Sequence, residues 1–72
     1  MQRQTLQKIE NFLRNKFKNK SLKVQGRANK SDSAEILIED EFIGVVFEDK
    51  EDGEICYHFN MTILDFDLEQ TD

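Results

Sequence analysis

Cys56 and His58 are the single cysteine and the single histidine of the chain, and they stand two residues apart. On a β-strand that spacing puts both on one face, about 7 Å apart. A thiolate beside an imidazole could do nucleophilic chemistry. Side chains at i and i+2 stand parallel, however, and are poorly placed for a short hydrogen bond. A small apolar residue and a polar one are also ordinary occupants of an outer sheet face, so no catalytic residue is assigned and no case for an enzyme is made. A structural zinc site needs about four ligands. One Cys and one His would need carboxylates or a second subunit to complete the set, so no metal or cofactor is assigned.

The acidic run Glu48-Asp49-Lys50-Glu51-Asp52-Gly53 invites comparison with a calcium loop. Placing Gly53 at the loop glycine puts Lys50 at a ligand position and Phe59 where the bidentate Glu belongs, so the match fails. A solvated turn is the better reading. Gly26, Gly44 and Gly53 lie too far apart to form a phosphate-cradling loop.

Charge is sorted along the chain. Residues 1–30 hold nine basic side chains and one acid, Glu10, for a balance of +8. Residues 31–72 hold fourteen acids and one base, Lys50, for −13. Such sorting creates internal attraction, a polarised surface, or both. The net −5 opposes nonspecific nucleic-acid binding, which runs on Lys and Arg neutralising phosphates. The basic residues Arg14, Lys18, Lys20, Lys23, Arg27 and Lys30 could still act locally, so binding of RNA or DNA through the helix and the 20–30 loop is the alternative function.

The elements that would position these residues follow from periodicity. Leu6, Ile9, Phe12, Leu13 and Phe17 recur at helical spacing and form one apolar stripe. The spacing predicts a helix over 3–18, with Phe12 and Phe17 as core residues and Asn19 as a stop. Lys16 falls inside the stripe. Glu10 and Arg14 make an i,i+4 pair in the favourable order. Alternation predicts strands over 21–25, 34–39, 42–48 and 54–62. The polar stretch 26–33 reads as a loop. Beyond residue 62, either an extended strand or a short helix capped by Thr62 fits, and 69–72 should fray.

A two-residue turn at Asp40-Glu41 would set Ile38 against Ile43, Ile36 against Val45 and Ala34 against Phe47, all on one face. Ile55, Tyr57, Phe59 and Met61 would join that face through a turn at Asp52-Gly53. The expected fold is α+β: an N-terminal amphipathic helix packed on a four-stranded antiparallel meander, one domain over 1–72. Leu37, Phe42, Gly44, Val46, Cys56 and His58 would then point outward. One helix cannot cover both faces of a sheet, so Leu37, Phe42, Gly44, Val46 and His58 form the expected interface for a protein partner or a second copy. No apolar run approaches the roughly 20 residues of a membrane span. The N-terminus has no signal-type apolar core, and a lone thiol suits a reducing compartment. A cytoplasmic protein without a membrane role is expected.

The runs Asp32-Ser33-Ala34-Glu35, Asp40-Glu41-Phe42-Ile43-Gly44-Val45, Glu51-Asp52-Gly53-Glu54 and Ile63-Leu64-Asp65 resemble a small family of domains of unknown function. It is found mainly in alphaproteobacteria and has about this length. Phe12-Leu13-Arg14 with Phe17 is similar to its N-terminal helix. The family pattern has a proline near Lys20 and usually lacks a cysteine at position 56; this chain differs at both. The resemblance implies a cytoplasmic bacterial protein. It brings no activity and no catalytic residues.

Overall fold

The computed structural model describes residues 1–70, and of Asp52 the backbone alone. It is an α+β structure. Helix α1 (Arg3–Phe17) precedes strands β1 (Leu22–Arg27), β2 (Lys30–Ile38), β3 (Glu41–Asp49) and β4 (Cys56–Asn60). The four strands form one antiparallel sheet in sequence order. A 3-10 turn (Glu51–Gly53) lies between β3 and β4, and a short helix α2 (Asp65–Glu69) closes the chain.

Helix α1 ends at Phe17, one residue short of the predicted 3–18, and Lys18 rather than Asn19 is its stop. Lys18 takes the left-handed conformation (φ 53°) and its N–H donates to the Arg14 carbonyl. Asn19 instead accepts the Ser21 N–H on its side chain, at 2.8 Å.

The helix lies along the outer edge of β1. Glu10 and Arg14, 3.7 Å apart, reach down to the strand backbone. The Val24 N–H donates to Glu10 Oε1 at 3.0 Å, and Arg14 Nε donates to the Leu22 carbonyl at 2.7 Å. Both backbone groups face away from β2, so the two side chains satisfy an edge that would otherwise be open to pairing with another chain.

The buried core is Leu13, Leu22, Ala34, Ile36 and Val46, with Leu6, Ile9, Val24, Ile38, Ile43 and Phe59 packed around it. Phe12 and Phe17 do not join it, being 63% and 55% exposed. The helix sits over β1, so only its Leu6, Ile9 and Leu13 side has sheet beneath it. Lys16 is exposed.

The sheet differs from expectation in two places. The stretch 26–33 is a hairpin rather than a loop: Gly26 pairs with Ala34, Arg27 pairs with Lys30, and only residues 28 and 29 turn. Backbone ladders need no apolar side chains. The second turn is Glu39-Asp40, with φ of 53° and 67°. Two successive left-handed residues are the turn whose twist matches antiparallel strands. Ile38 therefore meets Glu41 and Leu37 meets Phe42. A bulge follows, which inserts Ile43, so that Ile36 meets Gly44 and Ala34 meets Val46.

The alternation of β3 is thereby reversed. Gly44 and Val46, expected outward, face inward, and Val46 is 2% exposed. Val45 and Phe47 take the outer face. Of the four inner residues expected of β4, Tyr57 and Phe59 keep the inner face, opposite Glu48 and Val46, whereas Ile55 and Met61 fall outside the strand and are exposed. Strand pairing of β4 ends at Asn60 rather than continuing to residue 62, and α2 begins at Asp65. The cap of α2 is not Thr62. The Leu64 N–H donates to Asp67 Oδ2 at 3.0 Å. Of the tail expected to fray, Glu69 ends α2, and residues 71–72 lie outside the described residues.

Candidate functional site

Asp49 ends β3 and Cys56 begins β4, and the two are paired across the ladder. His58 is two residues further along the same face. Cys56 Sγ lies 3.4 Å from His58 Nε2, and the same nitrogen lies 3.3 Å from Asp49 Oδ2. Cys56 is an exposed free thiol. The Asp49 carboxyl is held below its ordinary value chiefly by the Glu51 N–H donated to Oδ1 at 2.9 Å; desolvation opposes this, and the hydrogen bond and charge of the neighbouring imidazole add smaller effects in the lowering direction.

This is not a nucleophile relay. A catalytic His presents one ring nitrogen to the nucleophile and the other to its carboxylate. Here Nε2 faces both the thiol and the carboxylate, so the ring cannot accept a proton on one side while being held on the other. What the arrangement can do is present three ligand atoms, all within 4.8 Å of one another, to a cation. Asp49 was not legible as a partner of Cys56 and His58. The signal lay in the length of the β3–β4 connection, which sets Asp49 opposite Cys56.

On the opposite face a groove runs between α1 and β4. Its volume is about 450 Å³, and it is lined by Thr5, Lys8, Ile9, Phe12, Leu13, Val46, Tyr57 and Phe59. The Phe17 and Phe59 rings meet edge to face, with centroids 6.2 Å apart. Tyr57 donates its hydroxyl to Glu48 Oε2 at 3.3 Å. Desolvation, and secondly the Glu48 charge and hydrogen bond, push its phenol above the ordinary value.

The expected outer interface is only partly assembled. Leu37 is half-buried, Phe42 is 55% exposed, His58 is exposed, and Gly44 and Val46 belong to the inner face. The apolar surface continues instead onto the segment after β4. Met61, Ile63, Leu64, Phe66 and Leu68 are all exposed, and α2 has no buried residue. A hollow of about 670 Å³ separates this arm from Phe42 and Phe47.

The six basic residues of the alternative reading do not form one free patch. Arg14 is committed to Leu22 and Glu10, Lys23 lies 3.3 Å from Asp40, and Arg27 donates to Ser33 Oγ at 3.4 Å. Lys18 and Lys20 stand before β1, and Lys30 stands beyond it. The length of β1, roughly 20 Å, separates them.

No helix among the described residues is long and apolar enough to cross a membrane. No curated protein and no solved structure gave a match. Residues 5–67, nearly the whole of the ordered helix and sheet, match the model of a family described as a protein of unknown function (DUF3126), and the chain belongs to that family.

Proposed function

We propose that this domain is an interaction module that works as a pair of identical copies. In the pair, the C-terminal arm of each copy (residues 61–70) docks into the α1–β4 groove of the other. The observation that carries this reading is the arm itself: five large apolar side chains, none of them buried.

Surface area supports a missing partner. The chain exposes 6081 Å², whereas a folded monomer of 8.5 kDa exposes roughly 4,700 Å². The excess of about 1,400 Å² per chain, or about 2,800 Å² for a pair, is above the roughly 800 Å² that a standard interface removes from each partner and within the range of obligate dimers. The radius of gyration, 13.4 Å, likewise exceeds the roughly 11 Å of a compact chain of this length.

Chemistry supports a second copy as that partner. The arm alternates Leu64, Phe66 and Leu68 with Asp65, Asp67 and Glu69. The groove offers Ile9, Phe12, Tyr57 and Phe59 beneath a rim that includes Lys8, on the most basic element of the chain. Arm and groove are complementary in both polarity and charge. Opposite charges would steer the encounter, and apolar contact would hold it. The free thiol of Cys56 suits a cytoplasmic setting, which is part of this reading.

Light scattering after size exclusion, at low and high salt, tests it. The expected mass is twice 8.5 kDa at both. Phe66→Glu and Phe12→Glu should each give a monomer, and Phe42→Glu should not. A wild-type monomer at every concentration sampled would refute self-association. Dissociation by Phe42→Glu with Phe12→Glu still dimeric would move the interface to the outer sheet face and defeat the arm-in-groove arrangement.

A further inference from the structure

We propose that Asp49, Cys56 and His58 form a three-ligand site for a zinc-class divalent ion, with the fourth coordination position open to solvent.

In a tetrahedral zinc site, Zn–S is about 2.3 Å and Zn–N or Zn–O about 2.0–2.1 Å, so the N···S edge is about 3.6 Å and the N···O edge about 3.4 Å. The corresponding separations here are 3.4 Å for His58 Nε2 to Cys56 Sγ and 3.3 Å for His58 Nε2 to Asp49 Oδ2. The third edge, Sγ to the Asp49 carboxylate, is within 4.8 Å. A tetrahedral site needs about 3.6 Å on that edge, so the thiol and the carboxylate close on each other by rotation of their exposed side chains, by up to about 1.2 Å.

Three features make the cluster more than a surface coincidence. Asp49 and Cys56 are locked opposite each other by the β3–β4 ladder, and His58 follows on the same face, so the backbone holds all three on a rigid platform. Asp49 uses Oδ1 to accept the Glu51 N–H, which orients the carboxylate and leaves Oδ2 for the ion, as outer-shell contacts do in metal sites. The donor set of thiolate, imidazole and carboxylate favours zinc over magnesium or calcium, which take oxygen ligands. On binding, the thiol proton leaves to solvent. The resulting thiolate and the carboxylate then balance the two positive charges of the ion.

The site lies on the outer face and does not depend on the arm or the groove. Its test is direct titration of the reduced full chain with zinc by calorimetry, and with cobalt by visible absorption. The expected result is one ion per chain, with cobalt showing the intense ligand-field bands of four-coordinate geometry and a sulfur-to-cobalt charge-transfer band. Cys56→Ser should remove that band. His58→Gln and Asp49→Asn should each weaken zinc binding at least about tenfold. Glu54→Gln, on the same hairpin, should leave binding unchanged. The three ligands are on the surface, and far-UV circular dichroism shows whether each variant keeps its fold. Zinc binding undiminished by Cys56→Ser or His58→Gln would overturn the proposal, as would a cobalt spectrum that stays that of the hexaaqua ion.

Discussion

Gly44→Ala separates the register seen here from its one-residue neighbour. In the observed pairing Gly44 faces inward beneath β4. A Cβ there would strike the carbonyl oxygen of Asn60 and lie 2.6 Å from Cε1 of Phe59. Ordinary carbon contacts begin near 3.5 Å, so the ring would have to withdraw by about 0.9 Å. That movement would pull Phe59 from Val46, its partner across the ladder, and from the edge-on contact with Phe17. The Asn60 carbonyl is backbone and cannot rotate aside, so β4 itself must shift. Overpacking of this kind costs about 1–3 kcal/mol, and involvement of the backbone places it at the upper end. Against it stands the roughly 0.5–1 kcal/mol by which Ala is better than Gly inside a strand. The net expectation is a loss of about 2 kcal/mol, or roughly 8–16 °C in Tm for a domain of this size.

Urea unfolding at fixed protein concentration reads this directly, as a lower midpoint with an unchanged slope. Gly26→Ala is the internal control. Its Cβ would meet only Leu6 Cδ1, at 3.3 Å, and that methyl group can turn away. It should not lower stability by more than about 0.5 kcal/mol, because the propensity gain of about 0.5–1 kcal/mol offsets that single contact. If Gly44→Ala is as stable as the parent or more so, Gly44 faces solvent. The bulge at Ile43 and the inward placement of Val46 are then wrong.

Two further perturbations test how the elements are held. Glu10→Ala and Arg14→Ala should each cost about 1–3 kcal/mol in urea unfolding, because each leaves a backbone group of β1 without its charged partner; a loss below about 0.5 kcal/mol would mean that water replaces the clamp. The single tyrosine, Tyr57, should titrate above the ordinary value of about 10 in an ultraviolet absorbance titration, and Glu48→Gln should lower that midpoint. Burial and the Glu48 charge favour the neutral phenol, so its contribution to stability is complete below the unfolded pKa and is lost as pH rises through the higher folded value. A midpoint at or below the ordinary value would contradict the contact.

What could be read from the residues, and what could not, divides along one physical line. Local periodicity placed α1 to within a residue at each end, since Leu6, Ile9 and Leu13 carry the helical stripe on their own. It also identified the meander, since Tyr57 and Phe59 alternate with His58 and Asn60, and Ala34 and Ile36 flank Glu35. It misjudged Phe12 and Phe17 because a stripe does not reveal how far the surface beneath it extends. Helix α1 rests on β1, and β4 stands across an open groove from its far flank, where it leaves Phe12 and Phe17 exposed. The register of β3 was lost for a similar reason. In the nearly continuous apolar run Phe42–Phe47, either alternation buries hydrophobic residues, so one extra residue at Ile43 reverses the face without any signature in composition. The hairpin at 28–29 was hidden because its pairing is entirely backbone. Asp49 stood outside the Cys56–His58 pair because its position depends on the turn that brings β4 back.

The sorted charge of the chain takes on meaning once its partners are known. Among the described residues, Arg14 pairs with Glu10, Lys50 with Glu48 and His58 with Asp49, each within its own charge segment; Lys23–Asp40 alone joins the basic third to the acidic remainder. That pair is well exposed, and exposed pairs contribute about 0–1 kcal/mol. The segregation is therefore not spent on holding the monomer together. It leaves a basic helix on one side and an acidic apolar arm beyond the last strand. In the proposed pair, a two-fold axis would set each arm against the other copy's helix, so that one sequence would supply both complementary surfaces. Salt would weaken the attraction across such an interface without abolishing it, because Leu64, Phe66 and Leu68 have apolar surface to bury whatever the ionic strength.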